Sequence, residues 1–233
     1  KEFVGSLALL LGPLVASHRD TVLVPAVAYP SYAVGADLAG CRVVRVPMTS
    51  RFSLDLDAVE PEDAARARLL WLNSPGNPAG GLDDLGAVAS WARERGIIVC
   101  SDECYLEYTW SGGPAGEDRL PASTVLSSGG EGLLALHSLS KRSNLAGGRV
   151  GCYAGDAQLV AALGERRREL GLVVPGPMQA AAVAAWCDQS HVAEQRNRYR
   201  HRLEVLAESV RQAGLADVEL PAGGFYLWAN AGG

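Results

Sequence analysis

The sequence predicts an α/β fold, with a mainly parallel sheet sandwiched by helices and the start of a smaller α+β domain near the C-terminus. Short apolar runs rich in β-branched residues alternate with longer segments of helical periodicity. These runs are apolar on both faces, which is typical of parallel strands covered by helices. With 233 residues, 48% of them hydrophobic, the chain can bury a substantial core.

Six apolar runs are predicted as strands: 21–29, 41–47, 68–73, 96–103, 132–139 and 149–156. Between the third and fourth, apolar residues recur at helical spacing over 82–96, with Gly96 as terminator. The apolar run 7–17 resembles the apolar stretch and cleavage site of a secretory signal. We interpret it instead as a buried helix followed by a turn at Gly12 and Pro13.

From about residue 176 the pattern becomes helical, over 177–189 and again over 191–214, where a narrow apolar stripe is typical of a helix between domains. Residues 217–230 are predicted to form a hairpin. We therefore predict a large domain over 1–188, then an interdomain helix and the start of a smaller domain over 189–233.

Composition excludes several classes of function. A net charge of −5 argues against a nucleic-acid partner, and no apolar run reaches the roughly 18 residues of a membrane span. The five cysteines are scattered and match no zinc spacing, which favours reduced thiols and a cytoplasmic protein. No strand is followed by G-x-G-x-x-G, so a dinucleotide-binding dehydrogenase is disfavoured.

Polar residues follow three of the predicted strands, where parallel strands present ligand sites. Each has an ordinary alternative as a turn or a helix cap. They lie in the segments NSPGNPAG, SDECY and HSLSK, and comprise Asn73, Asn77, Asp102, Tyr105, Ser138, Ser140 and Lys141. Arg149 begins the last strand, after two glycines that allow a tight turn. These groups are expected to converge on one edge of the sheet.

Lys141 is unusual because only it and Lys1 are lysines among 21 basic residues. A lysine amine forms a Schiff base, which a guanidinium cannot. Hydroxyls and an arginine suit a phosphate, and a carboxylate suits a protonated pyridine. At about 4 Å that last pair contributes roughly 4 kcal/mol, or about three powers of ten in rate. The ligand that satisfies the whole set is pyridoxal 5′-phosphate.

The stretch SLSKRSNLAGGRVG resembles the S-x-[SA]-K…R-x-G signature of the fold-type I, class I and II aminotransferases, with Ser138, Lys141 and Arg149 at its fixed positions. The resemblance implies that Lys141 is the Schiff-base lysine and the proton shuttle. It implies that Asp102 pairs with the pyridine nitrogen and that Tyr105 assists catalysis.

The same resemblance implies further cofactor contacts. Asn77 and Tyr105 hold the phenolate oxygen, Ser138, Ser140 and Arg149 hold the phosphate, and Tyr29 stacks on the ring. Lys1 corresponds to the end of a phosphate-binding loop whose glycine and hydroxyl residue are absent here. No metal site is expected.

The family's N-terminal arm would precede Lys1, and the arginine that binds the substrate carboxylate would follow Gly233. We therefore expect the chain to be about two thirds of an enzyme. The resemblance also implies a homodimer acting on small amino and keto acids. Within the family, segments such as GGFYLWA are most similar to actinobacterial N-succinyldiaminopimelate aminotransferases, which implies transfer between glutamate and N-succinyl-2-amino-6-oxopimelate in lysine biosynthesis.

Three alternatives remain open from the sequence. A broad amino-acid aminotransferase and a cysteine-S-conjugate β-lyase share this cofactor set. A non-catalytic regulatory domain is the alternative outside the enzymes.

Overall fold

A six-stranded sheet forms the centre of the computed structural model, which describes residues 2–12, 18–110, 124–215 and 218–229. The strand order is β2-β1-β3-β4-β5-β6, and only β6 runs antiparallel to its neighbour. Each of the six predicted runs overlaps one strand, so the predicted mainly parallel α/β sheet is confirmed. The strands are β1 Thr21–Pro25, β2 Arg42–Val46, β3 Ala67–Asn73, β4 Ile98–Asp102, β5 Leu133–Ser138 and β6 Gly151–Gly155.

Eight α-helices connect and cover these strands in the described part of the chain. They are α1 Glu2–Leu11, α2 Ser31–Leu38, α3 Pro61–Arg66, α4 Leu85–Glu94, α5 Leu139–Arg142, α6 Ala157–Glu169, α7 Gly176–Cys187 and α8 Ser190–Gln212. The helices predicted before Gly96 and after residue 176 are present as α4, α7 and α8. The apolar run near the N-terminus is helical as far as Leu11, while Pro13 lies outside the described residues.

The sheet separates two apolar cores because alternate strand residues point to opposite faces. On one face Val22, Trp71 and Leu134 pack with α1, α2 and α6. On the other face Leu70 and Val99 pack with α4 and the segments that flank it. Apolar side chains therefore cover both faces of the sheet, and the polar ends of the strands are the places where a ligand can bind.

A close approach of two helices determines where α2 lies. A Cβ at Gly35 would come 2.7 Å from the Gly5 carbonyl oxygen, so only glycine permits this contact between α1 and α2. The contact seats the first turn of α2, with Tyr32, against the sheet, where Tyr32 is 1% exposed.

The register of the central strands places their polar ends together. Asn73 at the end of β3 is the direct partner of Asp102 at the end of β4. Asp102 is in turn the partner of Leu136, two residues before β5 ends at Ser138. Three neighbouring strands thus finish at one edge of the sheet.

The expected hairpin over 217–230 is wrong for the described residues 218–229, which contain no strand. Their backbone groups bond instead to the loops after β3 and β4: Gly223 N–H donates to Gly80 O at 3.0 Å, and Gly224 N–H to Tyr108 O at 2.9 Å. A Cβ at Gly223 would lie 2.5 Å from Pro75 Cβ, so glycine is needed for this docking. The glycines of this segment therefore allow it to pack closely against the loops after β3 and β4.

None of the described helices is both long and apolar enough to cross a membrane. All five cysteines are free thiols.

Asp83, in the loop after β3, carries a perturbed carboxyl. Its Oδ1 accepts a hydrogen bond from the Leu54 backbone N–H at 2.7 Å. Burial raises the pKa of Asp83 from 3.8 to about 6. Because this pKa is higher in the folded chain, the carboxyl's contribution to stability is fully present below pH 3.8 and is lost as pH rises through about 6.

The Asp83→Asn substitution keeps an acceptor for Leu54 and removes the ionisation. We expect the variant's free energy of unfolding, relative to the wild type, to increase between about pH 4 and pH 7, by at most about 3 kcal/mol. Urea denaturation followed by circular dichroism at each pH measures this difference. A difference that does not change with pH contradicts the expectation.

Candidate functional site

Lys141 lies on α5, the single helical turn that follows β5. Ser138 caps this turn, since its Oγ accepts a hydrogen bond from the Ser140 backbone N–H at 3.2 Å. The Tyr108 hydroxyl donates to the Lys141 carbonyl oxygen at 2.8 Å. The backbone of the lysine is therefore held from both sides of the turn.

The Lys141 side chain is half-buried against aromatic rings. Its Nζ lies 6.0 Å from the ring centre of Tyr105 and 5.5 Å from that of Phe225. An ammonium group at these distances from ring faces is weakly attracted to them. The amine thus lies between the rings of Tyr105 and Phe225.

Asp102 is buried at the end of β4, with 7% of its surface exposed. Its Oδ2 accepts a hydrogen bond from the Tyr32 hydroxyl at 2.8 Å, and its Oδ1 accepts one from the Cys104 backbone N–H at 3.2 Å. No lysine, arginine or histidine among the residues that the structure covers forms an ion pair with Asp102. A buried carboxylate without a cation is unfavourable unless a ligand supplies the charge.

Tyr32 is held in place by stacking on Trp71, with ring centres 4.5 Å apart and an interplanar angle of 16°. Burial, together with the neighbouring Asp102 carboxylate, raises the pKa of the Tyr32 phenol well above 10. Tyr32 therefore stays protonated at any physiological pH and remains a hydrogen-bond donor to Asp102.

Asn77 and Tyr105 meet beside Asp102. The Asn73 amide Nδ2 donates to the Asp102 carbonyl oxygen at 2.8 Å, and its Oδ1 accepts from the Asn77 backbone N–H at 2.8 Å. These bonds fix the loop so that Asn77 Nδ2 donates to the Tyr105 hydroxyl at 3.3 Å. Burial raises the pKa of Tyr105, and the hydrogen bond with Tyr226 raises it further, so Tyr105 is a neutral phenol.

The expected phosphate ligands are brought together only in part. Ser138 and Ser140 are half-buried on the same turn, whereas Arg149 is exposed and its Nη1 donates to Ala146 O at 2.8 Å. The backbone of Arg149 is left-handed, with φ of 53°, and neither preceding glycine has a positive φ. The tight turn therefore strains the arginine itself, and such strain is concentrated at functional sites. Lys1 lies outside the described residues.

Tyr29 is half-buried at the entrance to α2. Its ring meets Tyr32 edge-on, with centres 5.8 Å apart and an interplanar angle of 79°. Tyr29 therefore lies next to Tyr32, the tyrosine three residues further along the chain that contacts the Asp102 carboxylate.

Arg142, the neighbour of Lys141, is buried and anchors α5. Its Nε pairs with Glu107 Oε1 at 3.2 Å, and it donates to Ala185 O at 2.8 Å and to Gln189 Oε1 at 2.9 Å. These bonds fix the lysine turn against α7. Removing the Arg142 guanidinium would leave the Glu107 carboxylate without its counter-charge, which is costly for a buried pair.

The sequence analysis missed three tyrosines that contact residues of the candidate site: Tyr32, Tyr108 and Tyr226. Tyr32 and Tyr108 each follow a predicted site tyrosine by three residues, in AYPSY and CYLEY. That spacing was a usable signal, since it puts two rings on one side of a helical turn. Tyr226 had no local signal, because its partner Tyr105 is 121 residues away.

Comparison with known proteins gives a consistent result. Residues 4–232 match the family model "Aminotransferase class I and II". The chain is 43% identical to "Probable aminotransferase Rv1178" of Mycobacterium tuberculosis and 42% identical to the "4-dedimethylamino-4-oxo-anhydrotetracycline transaminase OxyQ" of Streptomyces rimosus. Both alignments cover the whole chain but only 52% and 61% of those proteins, so the chain spans little more than half their length.

Among solved structures, the chain resembles the "probable N-succinyldiaminopimelate aminotransferase" of Thermus thermophilus. The TM-score is 0.78 and the identity is 30%, over 97% of this chain and 61% of that one. The sheet and its helices are therefore arranged as in a solved aminotransferase.

The Tyr32→Phe substitution tests the carboxylate network. It leaves Asp102 buried with one donor fewer, so the free energy of unfolding should fall by about 1–3 kcal/mol. Tyr199→Phe is the matched control, because it removes a phenol that donates to Asn144 Oδ1 at 3.2 Å in an exposed position. Thermal or urea denaturation measures both variants, and equal losses would contradict the special role of the Asp102 contact.

Proposed function

The chain belongs to the class I and II aminotransferases, and we propose that it carries the cofactor-binding and lysine chemistry of an enzyme that moves an amino group between an amino acid and a keto acid. Class I and II aminotransferases use pyridoxal 5′-phosphate. When bound, this group supplies an aldehyde that condenses with a lysine amine and a ring that withdraws electrons from the substrate α-carbon.

The observation that carries the proposal is that two unusual groups, the Asp102 carboxylate and the Lys141 amine, lie at the same edge of the sheet. Asp102 is a buried carboxylate without a cationic partner among the described residues, and Lys141, the one lysine in that part of the chain, has its amine 6.0 Å from the ring centre of Tyr105. A protonated ring nitrogen is the cation that Asp102 lacks, and an aldehyde is the partner that a lysine amine can bind covalently. The donor set therefore fits the cofactor.

In the proposed site each side chain has a distinct task. Asp102 would hold the ring nitrogen, and Tyr32 and the Cys104 amide keep the carboxylate oriented. Tyr105 and Asn77, which are hydrogen-bonded to each other, would hold the ring oxygen. The Lys141 amine would carry the proton to and from the substrate α-carbon.

The remaining predicted cofactor residues keep their proposed roles. Ser138 and Ser140 would hold the phosphate, and Tyr29 would lie against the ring. Arg149 would have to exchange its bond to Ala146 O for the phosphate, a change that a long exposed side chain makes at little cost. Lys1 is kept as a proposed phosphate contact.

For the substrate pair we propose glutamate as amino donor and N-succinyl-2-amino-6-oxopimelate as acceptor. The motif resemblance and the printed name of the Thermus structure support this choice. The Streptomyces relative, by its name, acts on a tetracycline intermediate, and it is more similar to this chain, at 42% identity, than the Thermus structure at 30%. A broad aminotransferase is therefore the second candidate, because the described cofactor residues suit either acceptor.

We also propose, from the resemblance, a homodimer in the cytoplasm and a division near residue 188 between a large domain and the start of a smaller one. The free thiols agree with a location in the cytoplasm. The long helix α8 agrees with a division between two domains near residue 188.

Lys141→Arg keeps the positive charge but removes the amine that bonds to the aldehyde. We expect the purified variant to lack the visible absorbance that pyridoxal phosphate gives the wild type, and transamination to fall by about 10³-fold or more. Borohydride reduction of the wild type followed by peptide mass spectrometry should place the label on Lys141.

Circular dichroism of the Lys141→Arg variant controls for folding. A variant that folds normally and keeps the visible band would overturn the assignment of the lysine.

Mixing the loaded wild-type protein with single amino acids tests the substrate. We expect glutamate and N-succinyl-LL-diaminopimelate to bleach the band, and free diaminopimelate to react about tenfold or more slowly, because groups that bind the succinyl carboxylate would be left unpaired. Equal reaction with many amino acids favours the broad enzyme. Pyruvate and ammonia released from a cysteine conjugate without a keto acid indicate a β-lyase, and cofactor binding without any reaction indicates a regulatory domain.

A further inference from the structure

Tyr226 brings a hydroxyl from the C-terminal segment 218–229 into the candidate site. Its oxygen lies 3.2 Å from the Tyr105 hydroxyl oxygen. The segment is fixed where Tyr226 emerges: the Trp110 indole Nε1 donates to Gly224 O at 2.6 Å, and the Gly224 N–H donates to Tyr108 O. The position of Tyr226 therefore follows from the same loop that carries Tyr105.

An aromatic cluster holds the neighbouring residue, Phe225. Its ring stacks on Tyr199 with centres 4.6 Å apart and an angle of 14°, and it meets Tyr105 edge-on at 5.2 Å. The Tyr226 ring itself lies 6.0 Å from the Tyr105 ring at an angle of 68°. The contact between the two hydroxyls is thus set by packing on both sides.

The hydrogen-bonding capacity of the Tyr105 oxygen is limited to one proton and two lone pairs. Asn77 Nδ2 donates to one lone pair at 3.3 Å. If Tyr105 donates to Tyr226, no proton remains for a ligand. If Tyr226 donates to Tyr105, both lone pairs are filled and the Tyr105 proton must point away from both neighbours, toward the site.

We propose that Tyr226 donates its proton to Tyr105 and is a positioning residue that directs the Tyr105 hydroxyl toward the cofactor's ring oxygen. This inference rests on the proposed function, since it requires pyridoxal phosphate beside Asp102. Tyr105 is the one hydrogen-bond partner of the Tyr226 hydroxyl within the described residues, so no competing acceptor draws that proton away. The raised pKa of Tyr105 agrees, because a neutral phenol has a proton to give.

The test is Tyr226→Phe in the cofactor-loaded protein, read by absorbance. A donor at the ring oxygen stabilises its negative charge most when the lysine nitrogen has lost its proton, so weakening this donor raises the pH midpoint of the visible band. We expect an upward shift of about half a unit to one unit, and affinity for pyridoxal phosphate reduced by about three- to tenfold.

A double-mutant cycle separates positioning from a general effect. In a Tyr105→Phe background, Tyr226→Phe should shift neither the midpoint nor the affinity further. Tyr199→Phe is the matched control, because Tyr199 belongs to the same aromatic cluster but its hydroxyl donates to Asn144 instead. The inference is overturned if Tyr226→Phe leaves both quantities unchanged, or if its full effect persists without the Tyr105 hydroxyl.

Failure of the proposed function gives a different result. In that case the wild-type protein itself would develop no visible band with pyridoxal phosphate. A wild type that binds the cofactor, with a Tyr226→Phe variant that behaves identically, would refute only the role of Tyr226.

Discussion

The buried carboxylate of Asp102 is the constraint on which the rest of the site depends. Taking a carboxylate out of water is costly, and hydrogen bonds from Tyr32 and the Cys104 amide offset only part of this cost. Around it the fold fixes the orientation of the group: α2 positions Tyr32, which donates to the carboxylate, and β3 ends in Asn73, which donates to the Asp102 carbonyl oxygen. In the proposed enzyme Asp102 would hold the cofactor's ring nitrogen.

The second organising element is the aromatic contact between the sheet edge and the C-terminal segment. Tyr105, Tyr108 and Phe225 form a wall next to Lys141, and Tyr108 also bonds to the lysine backbone. Glycines at 223 and 224 let this segment lie directly on the loops that carry Asn77 and Tyr105. A displacement of the segment would therefore change the surroundings of the amine and of Tyr105 together, which is how residues beyond the sheet could influence proton transfer.

The described residues indicate the class of reaction more clearly than they indicate the substrate. Groups around Lys141 and Asp102 address features common to every pyridoxal-phosphate transamination. Of two relatives that match this whole chain, one is named for a tetracycline intermediate and the other is named only as an aminotransferase, and the chain spans little more than half their length. Selection between acceptors is accordingly a separate property, decided by side chains that contact the distant end of the substrate.

The sequence by itself determined the sheet, its nearly parallel direction and the edge where polar residues gather, because hydrophobic periodicity and strand ends are local properties. It also singled out Lys141, Asp102, Asn77 and Tyr105 through residue chemistry. Only the tertiary structure decided that residues 218–229 dock as an irregular segment, that Arg149 takes the left-handed conformation, and that Tyr32 and Tyr226 join the site. The contacts of Tyr32 and Tyr226 join residues 70 and 121 positions apart, and the docked segment joins Gly223 to Gly80 and Gly224 to Tyr108. Which distant residues meet is decided by the packing of the chain, because a local pattern does not specify the partner.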